Sequence, residues 1–377
     1  MPDEIFEGYG APNQTAANNE GRDAFDDTVE RGKEVKCPNC GGNMVFDTET
    51  QSLKCEHCGT VDKFARSDDV KEIDIEKAFD SAEKWEKTVV VRCENCGAKI
   101  VIGSDEVAKE CPYCGTSQIK RTEEISGIKP NAVYPFILNG DVAEQYAKKW
   151  AKRRIFAPHK FKKSIEAKNF HGVFEPGFTF DSDTCSRYSG SLGETRTRVV
   201  GSGKDRHTET YIHWKHVSGT FVHFFDDVTI SATNASGDFS RLLPFKRDSI
   251  KVYEKKFLAG FQANHYSRDI HRCWGDAKSI MDDKIKKMIL DEYNCDTVGS
   301  DFRVTTSHRS VTYKYVLYPV YRLNYNYGNK SYPVAVNGQT GTVSGKTPIS
   351  PVRVVIAVVL GICAAVALYL LYSNGNV

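Results

Sequence analysis

The sequence predicts an α+β fold, and three observations carry this prediction. Eight of the twelve cysteines lie in four CxxC pairs within residues 37–114. From residue 128 onward, segments with strand-like alternation surround two segments with helical periodicity. Near the C-terminus, one long run of apolar residues carries no charge. The 377 residues are enough for two or three domains.

The composition excludes both a disordered chain and a wholly basic nucleic-acid-binding protein. Hydrophobic residues make up 40%, and 51 basic against 49 acidic residues leave a net charge of +2. An anionic partner must therefore be bound by a local patch. Residues 1–36 are acidic and have no apolar period, which predicts a disordered tail without a signal peptide.

The cysteine pairs form a repeat. Two sets have the same internal spacing, and each member of the first lies 56 residues before its counterpart: Cys37, Cys40, Cys55 and Cys58, then Cys93, Cys96, Cys111 and Cys114. A CxxC turn followed by glycine aims two sulfurs at one point, and two such turns supply four thiolates in tetrahedral geometry. We predict two structural Zn²⁺ ions in zinc ribbons at 37–61 and 91–120. Iron and a redox CxxC are the alternatives, and paired spacing disfavours the latter.

The region between the ribbons and the region after them predict the rest of the fold. Residues 62–90 are charged with apolar residues interspersed, which predicts a charged helical spacer. Residues 128–346 form the predicted α+β domain, with helices at 141–156 and 275–293.

Several strands are also predicted within this domain. They include two that flank a hairpin turn at Ser218-Gly219 and two joined by the turn Asn337 to Gly341. The helix at 275–293 should bury one stripe of apolar side chains, namely Ala277, Ile280, Met281, Ile285, Met288 and Ile289.

After a linker at 347–353, residues 354–372 predict a C-terminal transmembrane helix. The run is apolar on all sides and spans roughly 28 Å as a helix, close to the hydrocarbon thickness of a bilayer. A buried core helix is the alternative. Lys346 and Arg353 precede the run, so the positive-inside rule predicts a single-pass cell-membrane protein. Its N-terminal bulk is then cytoplasmic, in keeping with reduced thiols, and its short C-terminus lies outside.

A basic segment at 148–163 is the candidate anionic-surface site. It contains eight cations and no acid: Lys148, Lys149, Lys152, Arg153, Arg154, Lys160, Lys162 and Lys163. Trp150, Ile155, Phe156 and Phe161 are interleaved with them. The segment predicts either a solvated helix with a packed aromatic side, or contact with anionic lipid or nucleic acid.

No catalytic motif accompanies these features, so the sequence predicts that the protein is not an enzyme. Gly201-Ser-Gly203-Lys204 lacks the first glycine and the final Ser or Thr of a P-loop and predicts a polar loop. GxSxG, HExxH and a dinucleotide fingerprint are absent from the sequence.

Beyond the ribbons, four segments carry a resemblance: Gly172 to Pro176, Leu258 to Phe261, Tyr318 to Tyr321 and Asn337 to Gly341. With them, residues 37–345 resemble bacterial, mainly Gram-positive, membrane-anchored zinc-ribbon proteins that carry the labels TFIIB-type zinc-ribbon or primosomal-helicase-like protein. The resemblance implies no established activity, and helicase motor motifs are absent from this sequence.

Together these features predict a membrane-anchored cytoplasmic zinc-ribbon protein that acts as a binding or scaffold module and recruits a protein partner to the membrane. The alternative is a membrane-tethered protein that binds nucleic acid through residues 148–163. An enzyme of another kind is the third hypothesis.

Overall fold

The computed structural model describes residues 35–64, 69–78, 90–95, 99–101, 111, 116, 119–122, 128–233, 239–327 and 330–374. The predicted tail at 1–36, except its last two residues, lies outside the described residues, as do Cys96, Cys114 and much of the predicted spacer. Where it is described, the chain is a mixture of helix and sheet, as predicted. The described helices are α1 Gly140–Lys152, α2 His159–Lys163, α3 Ile270–Tyr293 and α4 Pro351–Asn374.

Two sheets contain the described strands. The strands are β1 Met44–Asp47, β2 Ser52–Cys55, β3 Val61–Asp62, β4 Ile73–Asp74, β5 Val90–Cys93, β6 Lys99–Val101, β7 Ile119–Thr122, β8 Ala132–Val133, β9 His171–Val200, β10 His207–Ser231, β11 Lys251–Val252, β12 Gln262–Asn264, β13 Thr297–Val298, β14 Arg303–Tyr327, β15 Lys330–Asn337 and β16 Val343–Gly345. A small antiparallel sheet has the order β1-β2-β3. The other thirteen described strands share one sheet with the path β11-β8-β14-β9-β12-β6-β5-β7.

Three long antiparallel strands, β10-β9-β14, form the backbone of this large sheet. The predicted turn at Ser218-Gly219 is wrong, because both residues lie inside β10 and pair with β9. The chain reverses instead at residues 201–206, in the predicted polar loop. Gly219 is needed for packing: a Cβ there would lie 2.5 Å from the hydroxyl of Tyr188, which crosses the strand to hydrogen-bond Tyr293 of α3 at 2.8 Å.

Helix α3 covers one face of this long sheet. Asp269 caps its first turn by accepting a hydrogen bond from the Arg272 amide at 2.8 Å. Six of its side chains are buried, at the spacing of a helix face: Ile270, Cys273, Ala277, Met281, Ile285 and Ile289. The prediction is corrected at Ile280, which is 39% exposed because it lies beside the stripe rather than on it.

The predicted helix at 141–156 is shorter than expected. Asn139 caps α1 by accepting from the Val142 amide at 3.0 Å, and α1 ends at Lys152. Pro158, which disfavours helical backbone in the residue before it, stands at the start of α2. The basic segment 148–163 is therefore two helices joined by an exposed turn.

The helical prediction for the spacer is wrong in residues 69–78, its longest described part. There the chain forms the short strand β4, paired with β14, and one 3-10 turn. Glu72 accepts hydrogen bonds from Thr312 at 2.7 Å and from the buried Lys314 at 2.9 Å. These contacts favour an extended chain along β14 over a solvated helix.

Candidate functional site

Four cysteines of the first set lie together and could hold one metal ion. Their sulfur atoms are all within 4.8 Å of one another. Cys37 and Cys58 are 3.5 Å apart at sulfur, as are Cys40 and Cys55. Ligands 2.3 Å from a tetrahedral ion lie about 3.8 Å apart, so the cluster fits a four-thiolate site.

The two turns that carry these cysteines have the same backbone geometry. The Cys37 amide donates to Gly42 O at 2.7 Å, and the Cys55 amide donates to Thr60 O at 2.8 Å. The glycines that follow the pairs, Gly41 and Gly59, have φ values of 73° and 74°. This left-handed conformation suits glycine and lets each turn close around its two sulfurs, as the sequence predicts.

Hydrogen bonds shift the pKa values of two of the thiols in opposite directions. The side chain and backbone of Thr60 lower the pKa of Cys58 to about 5. The Gly42 amide acts to lower the pKa of Cys40, but hydrogen bonds with Cys58 and Cys55 outweigh it and raise this pKa to about 12. Metal ligands are thiolates, so a bound cation would displace the protons of the four cysteines.

The described half of the second set repeats this backbone. The Cys111 amide donates to Thr116 O at 2.8 Å, as Cys55 does to Thr60. Arg92 pairs with Lys99, and Lys36 pairs with Asn43. Both residues of the second pair lie 56 residues before their counterparts in the first, the same interval that separates the cysteine sets. Cys93 and Cys111 are buried, at 0% and 1% exposure. Cys96 and Cys114 complete this set in the sequence and lie outside the described residues.

Both cysteine modules are joined to the large domain. In the first, the Phe46 amide donates to Ala259 O at 3.0 Å, and Phe64 stacks on Phe257 with ring centroids 4.2 Å apart. In the second, β6 pairs with β12, so this module continues the large sheet. A metal ion held in the first module would brace the fold at the domain surface.

Each of the four segments that carry the resemblance has a residue packed against the aromatic ring of Phe136. Phe136 is fully buried and stacks on Phe261 at 4.1 Å between centroids. Tyr321 lies 4.8 Å away, and a Cβ on Gly338 would lie 2.6 Å from the Phe136 ring. Gly172 is equally tight against Phe261. The pattern therefore has a packing role, and the sequence analysis missed Phe136 because its only signal is a short apolar run.

A second group of acidic side chains already contacts protein cations. Asp181, Asp226 and Asp227 offer oxygens within 4.8 Å of one another. Lys314 Nζ lies 2.8 Å from Asp227 and 3.6 Å from Asp181, and Arg247 contacts Asp226 at 2.9 Å. We interpret this cluster as structural.

Helix α4 is long and apolar enough to cross a membrane. Residues 351–372 have a mean hydropathy of 3.0 in their most apolar window, none of which is buried in the protein. The predicted alternative, a buried core helix, is therefore wrong. The first turn of α4 and the residue before it contact the basic segment: the Ser350 amide donates to Phe156 O, and Arg353 Nη1 donates to Ile155 O, both at 2.9 Å.

The basic segment divides into packed and exposed parts. Phe161 is fully buried, and Trp150 packs partly against the core. Ile155 and Phe156, in contrast, are 66% and 39% exposed. The packed aromatic side expected for this segment therefore excludes its central turn, whose carbonyls face α4.

No family model and no solved structure matches this chain. The chain is similar to a protein of Bacillus subtilis (strain 168) named Uncharacterized protein YdjG. The two are 28% identical over 321 residues, which cover 84% of this chain and 90% of the relative. The similarity thus extends over most of both chains, and the name of the relative states no activity.

Proposed function

We propose that this chain is a membrane-anchored cytoplasmic protein, built around two structural zinc ribbons, that recruits a protein partner to the membrane. The observation that carries the proposal is the combination of a four-cysteine cluster in the folded domain with the apolar helix α4, whose most apolar window is not buried in the protein. The zinc ribbons are the prediction from the spacing of the cysteine pairs.

Two zinc ions are supported by the chemistry and by the repeat. Four thiolates close the tetrahedral shell of Zn²⁺ and leave no position for water, which favours a structural role. The equivalent hydrogen bonds at Cys55 and Cys111 support a second ribbon. Cys93, Cys96, Cys111 and Cys114 would hold the second ion.

The proposed orientation places the domain in the cytoplasm. Lys346 and Arg353 lie on the domain side of the uncharged run that begins at Val354, and a cytoplasmic excess of basic residues is the rule for membrane spans. Reduced cysteines agree with this compartment.

A protein partner is supported by a face of the long sheet that the described elements leave exposed. Among the described strands β10 hydrogen-bonds only to β9, so its other edge is open. The face opposite α3 presents Trp214, Val222 and Phe224, which are 47%, 71% and 56% exposed. Exposed apolar side chains beside an open strand edge are features of protein-contact surfaces.

Site-specific photo-crosslinking in membranes tests this function. A photoreactive residue in place of Val222 in the full chain should give an adduct with one other protein. The change Phe224→Glu in the same chain should abolish the adduct. The matched position is Lys287, exposed on α3, where the same probe should give none. Failure to crosslink from both Val222 and Trp214 in a membrane-bound chain would contradict partner recruitment through this face.

A further inference from the structure

The exposed turn between α1 and α2 lies at the foot of α4. Two hydrogen bonds from residues 350 and 353 to the carbonyls of Phe156 and Ile155 hold it there. The turn therefore keeps a fixed place beside the first helical turn of the apolar helix. We call residues 152–157 the collar.

The collar combines cations with exposed apolar side chains. Lys152, Arg153 and Arg154 are all exposed, and the Arg154 guanidinium lies 5.0 Å above the Trp150 ring. Ile155 follows them at 66% exposure. Across the hydrogen bonds, Ile349 and Val352 are 64% and 67% exposed, so apolar surface is present on both sides of this contact.

If α4 spans a bilayer, its uncharged run begins at Val354, directly after Arg353. Because Arg353 touches the collar, the collar lies at the depth where headgroups meet hydrocarbon. Amphipathic segments at this depth place apolar side chains among acyl chains and cations among phosphates.

We propose that the collar binds the anionic phospholipid headgroups of the leaflet that α4 enters, with Ile155 and Phe156 inserted at the hydrocarbon boundary. This inference rests on the proposed membrane span. It assigns Lys152, Arg153 and Arg154 to lipid phosphates, and it extends the proposed anchor from one helix to a second contact with the membrane.

Lipid accounts for this surface better than nucleic acid does. A surface for single-stranded nucleic acid combines cations with base-stacking aromatic rings, whereas the most exposed apolar side chain of the collar is the aliphatic Ile155, at 66% against 39% for Phe156. The span holds the cations near the bilayer at high effective concentration. Each basic residue near an anionic leaflet increases the binding constant for that leaflet about fivefold.

Lipid selection around the intact chain tests the collar. The full chain is inserted in vesicles of phosphatidylcholine with one part in five phosphatidylglycerol and extracted with its surrounding lipid by a styrene–maleic acid polymer. The triple variant Lys152→Glu, Arg153→Glu, Arg154→Glu is compared with a control triple variant of equal charge change, Lys284→Glu, Lys286→Glu, Lys287→Glu, on exposed positions of α3. Both variants should fold, because exposed charges contribute little to stability. Circular dichroism checks this.

We expect the wild type and the α3 variant to retain phosphatidylglycerol at two or more times its share in the vesicle, and the collar variant to fall to that share. Equal enrichment in all three chains, or none in the wild type, would overturn the inference. Oligonucleotide binding that only the collar variant loses, without lipid enrichment, would assign the cations to nucleic acid instead. Release of the wild-type chain by alkaline carbonate would contradict the proposed span itself, whereas a chain that stays inserted without enrichment contradicts the collar alone.

Discussion

Replacing Phe136 by alanine should cost more stability than almost any other single change in the domain. The ring is fully buried against Phe261, Phe174 and Tyr321, with centroids 4.1, 5.0 and 4.8 Å away. Buried Phe→Ala changes cost about 3–5 kcal/mol. Gly338 also borders the ring and has no side chain to fill the hole. We therefore expect a loss at the upper end of that range, about 4–5 kcal/mol.

The assay is denaturant unfolding of the full chain in detergent, followed by tryptophan fluorescence. Phe224→Ala is the matched control, because Phe224 is 56% exposed and its loss should change the free energy of unfolding by less than about 0.5 kcal/mol. A difference between the two variants below about 1 kcal/mol would refute the packing role that we assign to the segments around Phe136.

Two further perturbations have defined outcomes. Metal chelation should expose the Phe46 amide, which donates to Ala259 O, to hydrogen exchange, while the Ile285 amide in α3 stays protected. The reason is that a structural zinc ion contributes about 10–16 kcal/mol in small zinc modules. Unchanged exchange at Phe46 would contradict a metal that braces the fold. Burial and a hydrogen bond with Glu72 raise the pKa of Asp181 from 3.8 to about 7. Between these two pKa values the folded state holds a proton that the unfolded state releases, so stability should fall as pH rises from about 4 to 7. Asp181→Asn should flatten that decline in denaturant titrations, and an identical slope in both chains would contradict the assignment.

The sequence predicted well the features that depend on spacing along the chain. The first cysteine set, the apolar helix and the turn at 337–341 are local patterns, and each is present where the sequence predicts it. The interval of 56 residues identified the two cysteine sets. Spacing along the chain was sufficient to predict the first cluster, because a CxxC turn is closed by its own backbone.

Features that depend on distant contacts were not predictable in the same way. The sequence predicts Gly219 as a turn residue, but its lack of a side chain makes room for Tyr188. Tyr188 hydrogen-bonds Tyr293, which is 105 residues away in the sequence. Residues 69–78 follow β14 because Glu72 meets Lys314, 242 residues later. The collar depends on two hydrogen bonds to α4, which no local pattern in residues 148–163 indicates.

Metal content of the full chain tests the central claim most directly. Elemental analysis of the purified protein should find two zinc ions per chain. Cys55→Ser and Cys111→Ser should each reduce the content to one, because each removes a ligand from a different set. Well under one zinc per chain, or iron in its place, would contradict the account.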